Sequence, residues 1–244
     1  MRATGLNLLR RIRERPGPVI SSRRPRFDPP HRVIAADRVL YNQLSNALAS
    51  AAESHARGRL LDIGCGRKPW APVFAPYVSE HVGIDPDPSA PGADVIAGAY
   101  DVPLEDETAD AVLLTEVLEH LEDPLRGLRE ARRLLKAGGA VILTTPLLFP
   151  VHDRRDFFRY CPAGLEHLMT EAGFTELSVR PLSGQWTTLA TLRGISLHSL
   201  RRGPVSSKLV DAYSTLSLAL AVRLDKADFR AAFSWNHIAT GRKA

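Results

Sequence analysis

Leu60-Leu61-Asp62-Ile63-Gly64-Cys65-Gly66-Arg67-Lys68-Pro69 decides the fold of this chain. A short apolar run, Arg59 to Gly64, has strand length and stops at paired glycines. Glycine lets the backbone turn sharply there and lets a ligand approach where a Cβ would block it. Downstream, Ser79 to Asp85 reads as a second strand that ends in an acid, with Asp85 19 residues after Gly66.

The same rhythm continues outward. Residues 94–97 form a weak third strand and 109–115 a strong fourth, followed by strands over 140–145, 174–180 and 233–240. Between them, helical spacing predicts helices over 33–54, 124–136 and 162–172. Asp123 is placed as N-cap of the second of these, Pro124 in its first turn and Gly138-Gly139 at its close. Strands alternating with helices predict an α/β fold, a seven-stranded, mostly parallel sheet with helices on both faces. Residues 183–232 lack strand rhythm and read as a helical insertion before the last strand; within it, 207–224 is apolar, but Lys208, Asp211 and Arg223 leave it too short and too charged to span a bilayer.

At 244 residues, 44% hydrophobic and 24% charged, the chain has the makings of one large domain or of one domain with an appendage. This excludes disordered, fibrous and membrane-spanning classes. The net charge of +5 is local. Residues 1–32 hold nine arginines against Glu14 and Asp28, which leaves 23 basic and 25 acidic residues in the body over 33–244. No nucleic-acid partner is expected from such a body. Leu6, Leu8, Leu9 and Ile12 lack the apolar run of a secretory signal; they could line one stripe of an Arg-rich helix resting on an anionic membrane, with a solvated arm as the alternative. Two cysteines, Cys65 and Cys161, and no CxxC spacing make a disulfide framework or a zinc site unexpected; no metal is expected and a reducing cytoplasm is the expected location.

Ligands of open α/β sheets bind outside the carboxyl ends of the strands, at the topological switch point. Asp85, at such an end, suits the two hydroxyls of a ribose and points to a nucleoside cofactor. A dinucleotide site would need a third glycine and a pyrophosphate aimed at a helix N-terminus. Here Pro69 takes that position, and the anionic Asp62 would repel the pyrophosphate. S-adenosylmethionine (SAM) has no phosphate and carries a sulfonium and an ammonium, so a carboxylate near the turn suits it. No GxxxxGK[ST] phosphate loop occurs.

LLDIGCG (60–66), VGID (82–85), YDVPLEDETADAVLLTEVLEHLEDP (100–124) and LREARRLLKAGGAVILTTP (128–146) stand in the order of a known family. Over residues 58–182 the chain resembles the class I SAM-dependent methyltransferases, with 233–243 resembling their closing strand in a Rossmann-like fold. The resemblance implies SAM as cofactor, with Asp62, Gly64 and Gly66, and Cys65 between the glycines, at its methionine part. Asp85, followed by Pro86, would hold the ribose, Asp101 and the backbone of Val102 the adenine, and Thr115-Glu116 would lie beside the sulfonium. Members often have a third glycine where this chain has Lys68.

Methyl transfer to a hydroxyl needs the acceptor positioned in line and its proton removed. His120, in Glu116-Val117-Leu118-Glu119-His120, is one candidate for that work, with a bracing role as the alternative. Pro150 to Tyr160 is the stronger one: His152, Asp153, Arg154, Arg155, Asp156 and Arg159 crowd one loop flanked by aromatics. It resembles a subgroup that accompanies surface-polysaccharide or glycolipid assembly, with Cys161 where that subgroup has threonine. His152 is read as base or acceptor-orienting residue, Asp156 and Arg159 as fixing the loop or binding a polar acceptor, and Tyr160 as lining the cleft. Gln185, Trp186 and the apolar 209–224 segment could wall an acceptor pocket, rest on a membrane, or simply close the core. The expected reaction is O-methylation of a sugar hydroxyl on a small-molecule or lipid-linked acceptor. A secondary-metabolite methyltransferase and a non-catalytic SAM-binding protein are the alternatives.

Overall fold

The computed structural model describes residues 35–244, with side chains from Arg38 onward. The Arg-rich arm over 1–32, with its expected membrane stripe, and the first residues of the 33–54 helix lie outside the described residues. The chain forms two compact units, one of the described residues through Leu44 with Pro181–Trp235, the other of Ser45–Arg180 with Asn236–Ala244.

In chain order the elements are α1 (Ala35–His55), β1 (Arg59–Ile63), α2 (Ala71–Phe74), β2 (Glu80–Asp85), β3 (Val95–Ile96), β4 (Ala109–Thr115), α3 (Pro124–Leu134), β5 (Leu135–Pro146), α4 (Pro162–Glu171), β6 (Phe174–Pro181), α5 (Gln185–Leu197), α6 (Pro204–Ala227) and β7 (Asn236–Lys243). The seven strands form one sheet in the order β3-β2-β1-β4-β5-β7-β6. Strands β1 to β5 pair in parallel, and β7 runs antiparallel to β5. Because β1 has β2 on one side and β4 on the other, the chain reverses direction across the sheet at β1/β4. The crevice outside the carboxyl ends of these two strands is therefore where the fold places a ligand.

Leu61, Ile63, Val112, Leu114, Val141 and Leu143 bury one face of the sheet with Leu128 and Leu134 of α3 and Leu165 and Met169 of α4. Their alternates Leu60, Leu113 and Ile142 are equally buried, so both faces of the central strands are covered. Each such side chain contributes roughly 1.5–3 kcal/mol of transfer free energy, enough in sum to hold the strand ends still. Helix α3 starts as its sequence dictates, with Asp123 Oδ1 accepting from Arg126 N at 3.0 Å and Pro124 in the first turn.

Two boundaries differ from the sequence reading. Gly138-Gly139 do not close α3: the helix stops at Leu134, Leu135 already pairs with Ala109, and residues 136–139 form an irregular stretch within β5 before Ala140 pairs with Ala111. The last strand starts at Asn236 rather than Phe233, because Ala231–Phe233 coil into a 3-10 turn.

In the other unit, α5 and α6 pack through Ala190, Leu218 and Ala221, with Val39 against them. Asp225 of α6, buried, accepts the otherwise orphaned N–H groups of Gly184, Trp186 and Thr187 at the start of α5. No helix among the described residues is long and apolar enough to cross a membrane.

Candidate active site

The turn after β1 is built from backbone. Gly64 and Gly66 take the left-handed conformation at φ +72° and +51°. A Cβ on Gly64 would lie 2.5 Å from Val117 Cγ2, just past the end of β4, so glycine is required where β1 and β4 approach. Above Gly66 there is open space. Gly64 N and Cys65 N donate to Ile84 O at 2.8 and 3.2 Å, and Gly66 N donates to Asp85 Oδ2 at 2.9 Å, so the turn is tied to the end of β2. The other oxygen of Asp85 accepts from Asp87 N at 2.9 Å. Gly66, Arg67, Asp85, Asp87, Ser89, Ala90 and Pro91 line a cleft of about 350 Å³ beside exposed Pro86. An open glycine turn whose neighbouring carboxylate is oriented by backbone N–H groups fits the ribose side of a nucleoside such as SAM.

Other residues read as cofactor ligands are engaged elsewhere. Asp62 lies inside β1, 1% exposed, with Oδ2 3.0 Å from His81 Nε2 on β2; burial raises its carboxyl above the usual range. Cys65 is buried, which pushes its thiol up to about 11 and keeps it protonated. Asp101 is exposed and paired with Arg126 at 2.6 Å. Val102 N donates to Glu130 Oε1 at 2.7 Å and Val102 O accepts from Arg133, so both backbone groups expected at an adenine are bound to α3. Lys68, where a third glycine was expected, adopts φ +51° regardless; its ammonium bonds Asp94 and His81 O.

The turns after β4 and β5 are built from side chains. Thr115 ends β4 beside Thr144 of β5. Glu116 follows at φ +55°, an uncommon conformation for a residue with a Cβ. Its carboxylate accepts from Thr144 Oγ1 at 2.6 Å and from Asn236 Nδ2 at 2.8 and 2.9 Å; burial raises its carboxyl. No local pattern singles out Asn236, which reaches this point because β7 folds back antiparallel on β5.

Three bonds tie the two turns together. Phe157 N donates to Glu119 O at 2.8 Å, Tyr160 Oη to Leu118 O at 3.1 Å, and His120 Nδ1 lies 3.0 Å from Arg155 O. Tyr160 is thus a buried brace, its phenol raised by burial, rather than an open cleft wall. Within this frame His120 and His152 stand edge to face, ring centroids 5.1 Å apart, with Phe149 on the far side of His152. Asp156 accepts from His152 N at 3.0 Å, lies 3.1 Å from His152 Nδ1, and takes two bonds from the Arg159 guanidinium. That guanidinium holds the Asp156 carboxyl well below the ordinary range. Glu119, absent from the sequence reading, is fully buried beside the two rings; burial first and then Glu116 push its carboxyl up to about 8. Its sequence signal was only adjacency to His120.

A profile of the methyltransferase-domain family matches residues 36–179. The chain belongs to that family. An uncharacterized methyltransferase of Mycobacterium ulcerans (strain Agy99) is 32% identical over 108 residues, 40% of this chain and 42% of that protein. A Mycobacterium tuberculosis (strain CDC 1551 / Oshkosh) protein, described as a probable S-adenosylmethionine-dependent methyltransferase, is 29% identical over 136 residues, 49% of this chain and 50% of its own. The chain therefore spans half or less of the length of these relatives. Among solved structures, the [4+2]-cyclase SpnF superposes with TM-score 0.58 at 22% identity, covering 83% of this chain and 81% of that one. The chain thus has the Rossmann-like class I fold, and its glycine turn and histidine-bearing loops follow β1, β4 and β5 of one sheet. Trp186, at the start of α5, belongs to the other unit and is partly exposed.

Proposed function

We propose that this protein uses SAM to methylate a hydroxyl of a sugar or a similarly polar acceptor, in glycan or glycolipid assembly. The observation that carries this reading is the orientation of His152. Asp156, neutralised by Arg159, faces Nδ1 and holds the ring in the Nδ1–H tautomer, which leaves Nε2 as the free lone pair on a ring that is 39% exposed. A ring so held can meet an acceptor hydroxyl, taking its proton or orienting its oxygen, the role a general base plays in transfer to oxygen. Bound SAM would supply a methyl carbon activated by its sulfonium, and Gly64, Gly66 and Asp85 are the residues whose geometry suits it. Glu116, fixed by Thr144 and Asn236, would put negative charge beside the sulfonium.

The polar character of the loop, with Arg154, Arg155 and Asp153 exposed around His152, supports a polar acceptor. A lipid-linked form of it, and peripheral contact with a membrane, is supported by α6, where Val205, Leu209, Leu216 and Leu220 recur on one helical face and are each more than half exposed. The test is transfer of label from methyl-labelled SAM to extracted glycans and glycolipids. His152→Ala is expected to lower turnover about 10²–10⁴-fold with unchanged melting temperature. Full activity in that variant removes His152 from the reaction, label only on soluble small molecules moves the acceptor class, and SAM uptake without transfer to any extract makes the protein a binder.

A further inference from the structure

We propose that Glu119, His120 and His152 form a binding site for a first-row divalent metal ion. Each offers one ligand atom, and the three atoms lie within 4.8 Å of one another. Donors about 2.1 Å from a shared ion are at most ~4.2 Å apart, so small side-chain adjustments close the set.

Two further observations point to an ion. Glu119 is 0% exposed and, among the described residues, neither carboxylate oxygen has a hydrogen-bond partner, a costly condition for a buried acceptor; the nearest ring nitrogen, His120 Nε2, is 3.9 Å from Oε1. Both imidazoles, moreover, direct Nδ1 at an oxygen, His120 at the Arg155 carbonyl at 3.0 Å and His152 at the Asp156 carboxylate at 3.1 Å. Metal-ligating histidines almost always donate their second ring N–H to a carbonyl or carboxylate in this way, which fixes the ring and leaves the other nitrogen to the ion. Asp156 and Arg159 on one side, and the bonds from Phe157 N and Tyr160 to the turn after β4, hold the ligand-bearing loops in place.

Two imidazole nitrogens and one carboxylate oxygen suit Zn²⁺, Mn²⁺, Fe²⁺ or Co²⁺ better than Ca²⁺ or Mg²⁺, which take oxygen-rich sets. Three protein ligands leave coordination positions for an exchangeable oxygen, as in catalytic rather than structural sites. In the proposed reaction that oxygen would be the acceptor hydroxyl, whose acidity a bound cation increases; with the ion present, His152 Nε2 would act on the hydroxyl through the ion instead of directly. Ion uptake can nevertheless be measured without methyl transfer.

The test uses the full chain, freed of metal by a chelator and dialysed, titrated with Co²⁺ in the absence of SAM and followed by calorimetry and visible absorption. One ion per chain is expected, with Glu119→Gln, His120→Ala and His152→Ala each weakening uptake at least about tenfold and His167→Ala, at an exposed position on α4, leaving it unchanged. Circular dichroism establishes that each variant is folded. The proposal is overturned if the folded wild type takes up neither Co²⁺ nor Zn²⁺ nor Mn²⁺, or if folded Glu119→Gln binds as tightly as wild type. Methylation by metal-free protein with no uptake defeats the metal site and spares the function; uptake without methylation of any acceptor does the reverse.

Discussion

The turn after β1 and the loop after β5 stand at the same edge of one sheet and are made of different material. The first is backbone: two left-handed glycines, N–H groups given to Ile84 O and Asp85, and a space left open because no Cβ is there. The second is side chain: an imidazole pair, a buried acid and an Asp–Arg clamp, stapled to the turn after β4. A backbone site is exacting wherever a Cβ has no room, as at Gly64. A side-chain site tolerates change at exposed positions and depends on charge.

The sharpest break of that contrast is Gly64→Ala. The new methyl meets Val117 Cγ2 at 2.5 Å while the residue is held at φ +72°. Left-handed strain of ~1–2 kcal/mol and overpacking of ~1–3 kcal/mol predict a loss of about 2–5 kcal/mol in denaturant unfolding, together with loss of SAM uptake by calorimetry. Gly66→Ala, with the same handedness and open space, should lose only ~1 kcal/mol. Equal losses would mean that the approach of β1 to β4 is not what demands glycine.

Asp156→Asn sharpens the other side. Asparagine keeps the shape but not the charge that meets both Arg159 and His152 Nδ1. We expect turnover on the identified acceptor to fall about 10–100-fold with SAM affinity unchanged, since Asp156 bonds His152 and Arg159 of its own loop. A change in SAM affinity instead would show that the two turns are not separable.

These two turns also explain what was readable beforehand. Gly64, Gly66 and Asp85 were legible because a backbone constraint repeats at fixed spacing whatever surrounds it. The sheet was legible because buried parallel strands leave continuous apolar runs such as Val112-Leu113-Leu114. Glu119 and Asn236 were not, because nothing local separates a surface carboxylate from one enclosed by packing, and Asn236 arrives through a pairing 90 residues downstream of Pro146. Nor does anything local announce the pairings of Asp62 with His81 and of Val102 N with Glu130. The break between Ala109 and Ala111 in the β4/β5 register, which displaced Gly138-Gly139 from a helix end into a strand, is likewise a tertiary fact.

His237 tests pH dependence away from the loops. It is fully buried on β7, neither ring nitrogen has a hydrogen-bond partner among the described residues, and burial lowers its pKa to about 4. The unfolded chain, titrating near 6.5, binds the proton first, so stability is full above ~6.5 and is lost as pH falls toward 4. The loss is on the order of 3 kcal/mol. His237→Leu should flatten this acid limb in urea unfolding between pH 7 and 4; an unchanged limb would place the acid sensitivity elsewhere.

The smallest expected effect lies at Lys68, where the backbone site borrows a side chain. At φ +51° lysine bears strain that glycine would relieve, yet its ammonium bonds Asp94 and His81 O, and the bond to Asp94 holds that carboxyl below the ordinary range. Asp94 is more than half exposed, so the ion pair is worth no more than ~1 kcal/mol. Lys68→Ala loses the pair and keeps the strain, and should destabilise by up to ~1 kcal/mol. Lys68→Gly loses the pair and relieves ~1 kcal/mol of strain, and should unfold within a few tenths of a kcal/mol of wild type. The difference between the two variants, read from chemical denaturation, isolates the conformational term. Were Lys68→Gly as unstable as Lys68→Ala, the turn after β1 would owe its shape to a side-chain clamp, and the distinction between the two edges would be one of degree.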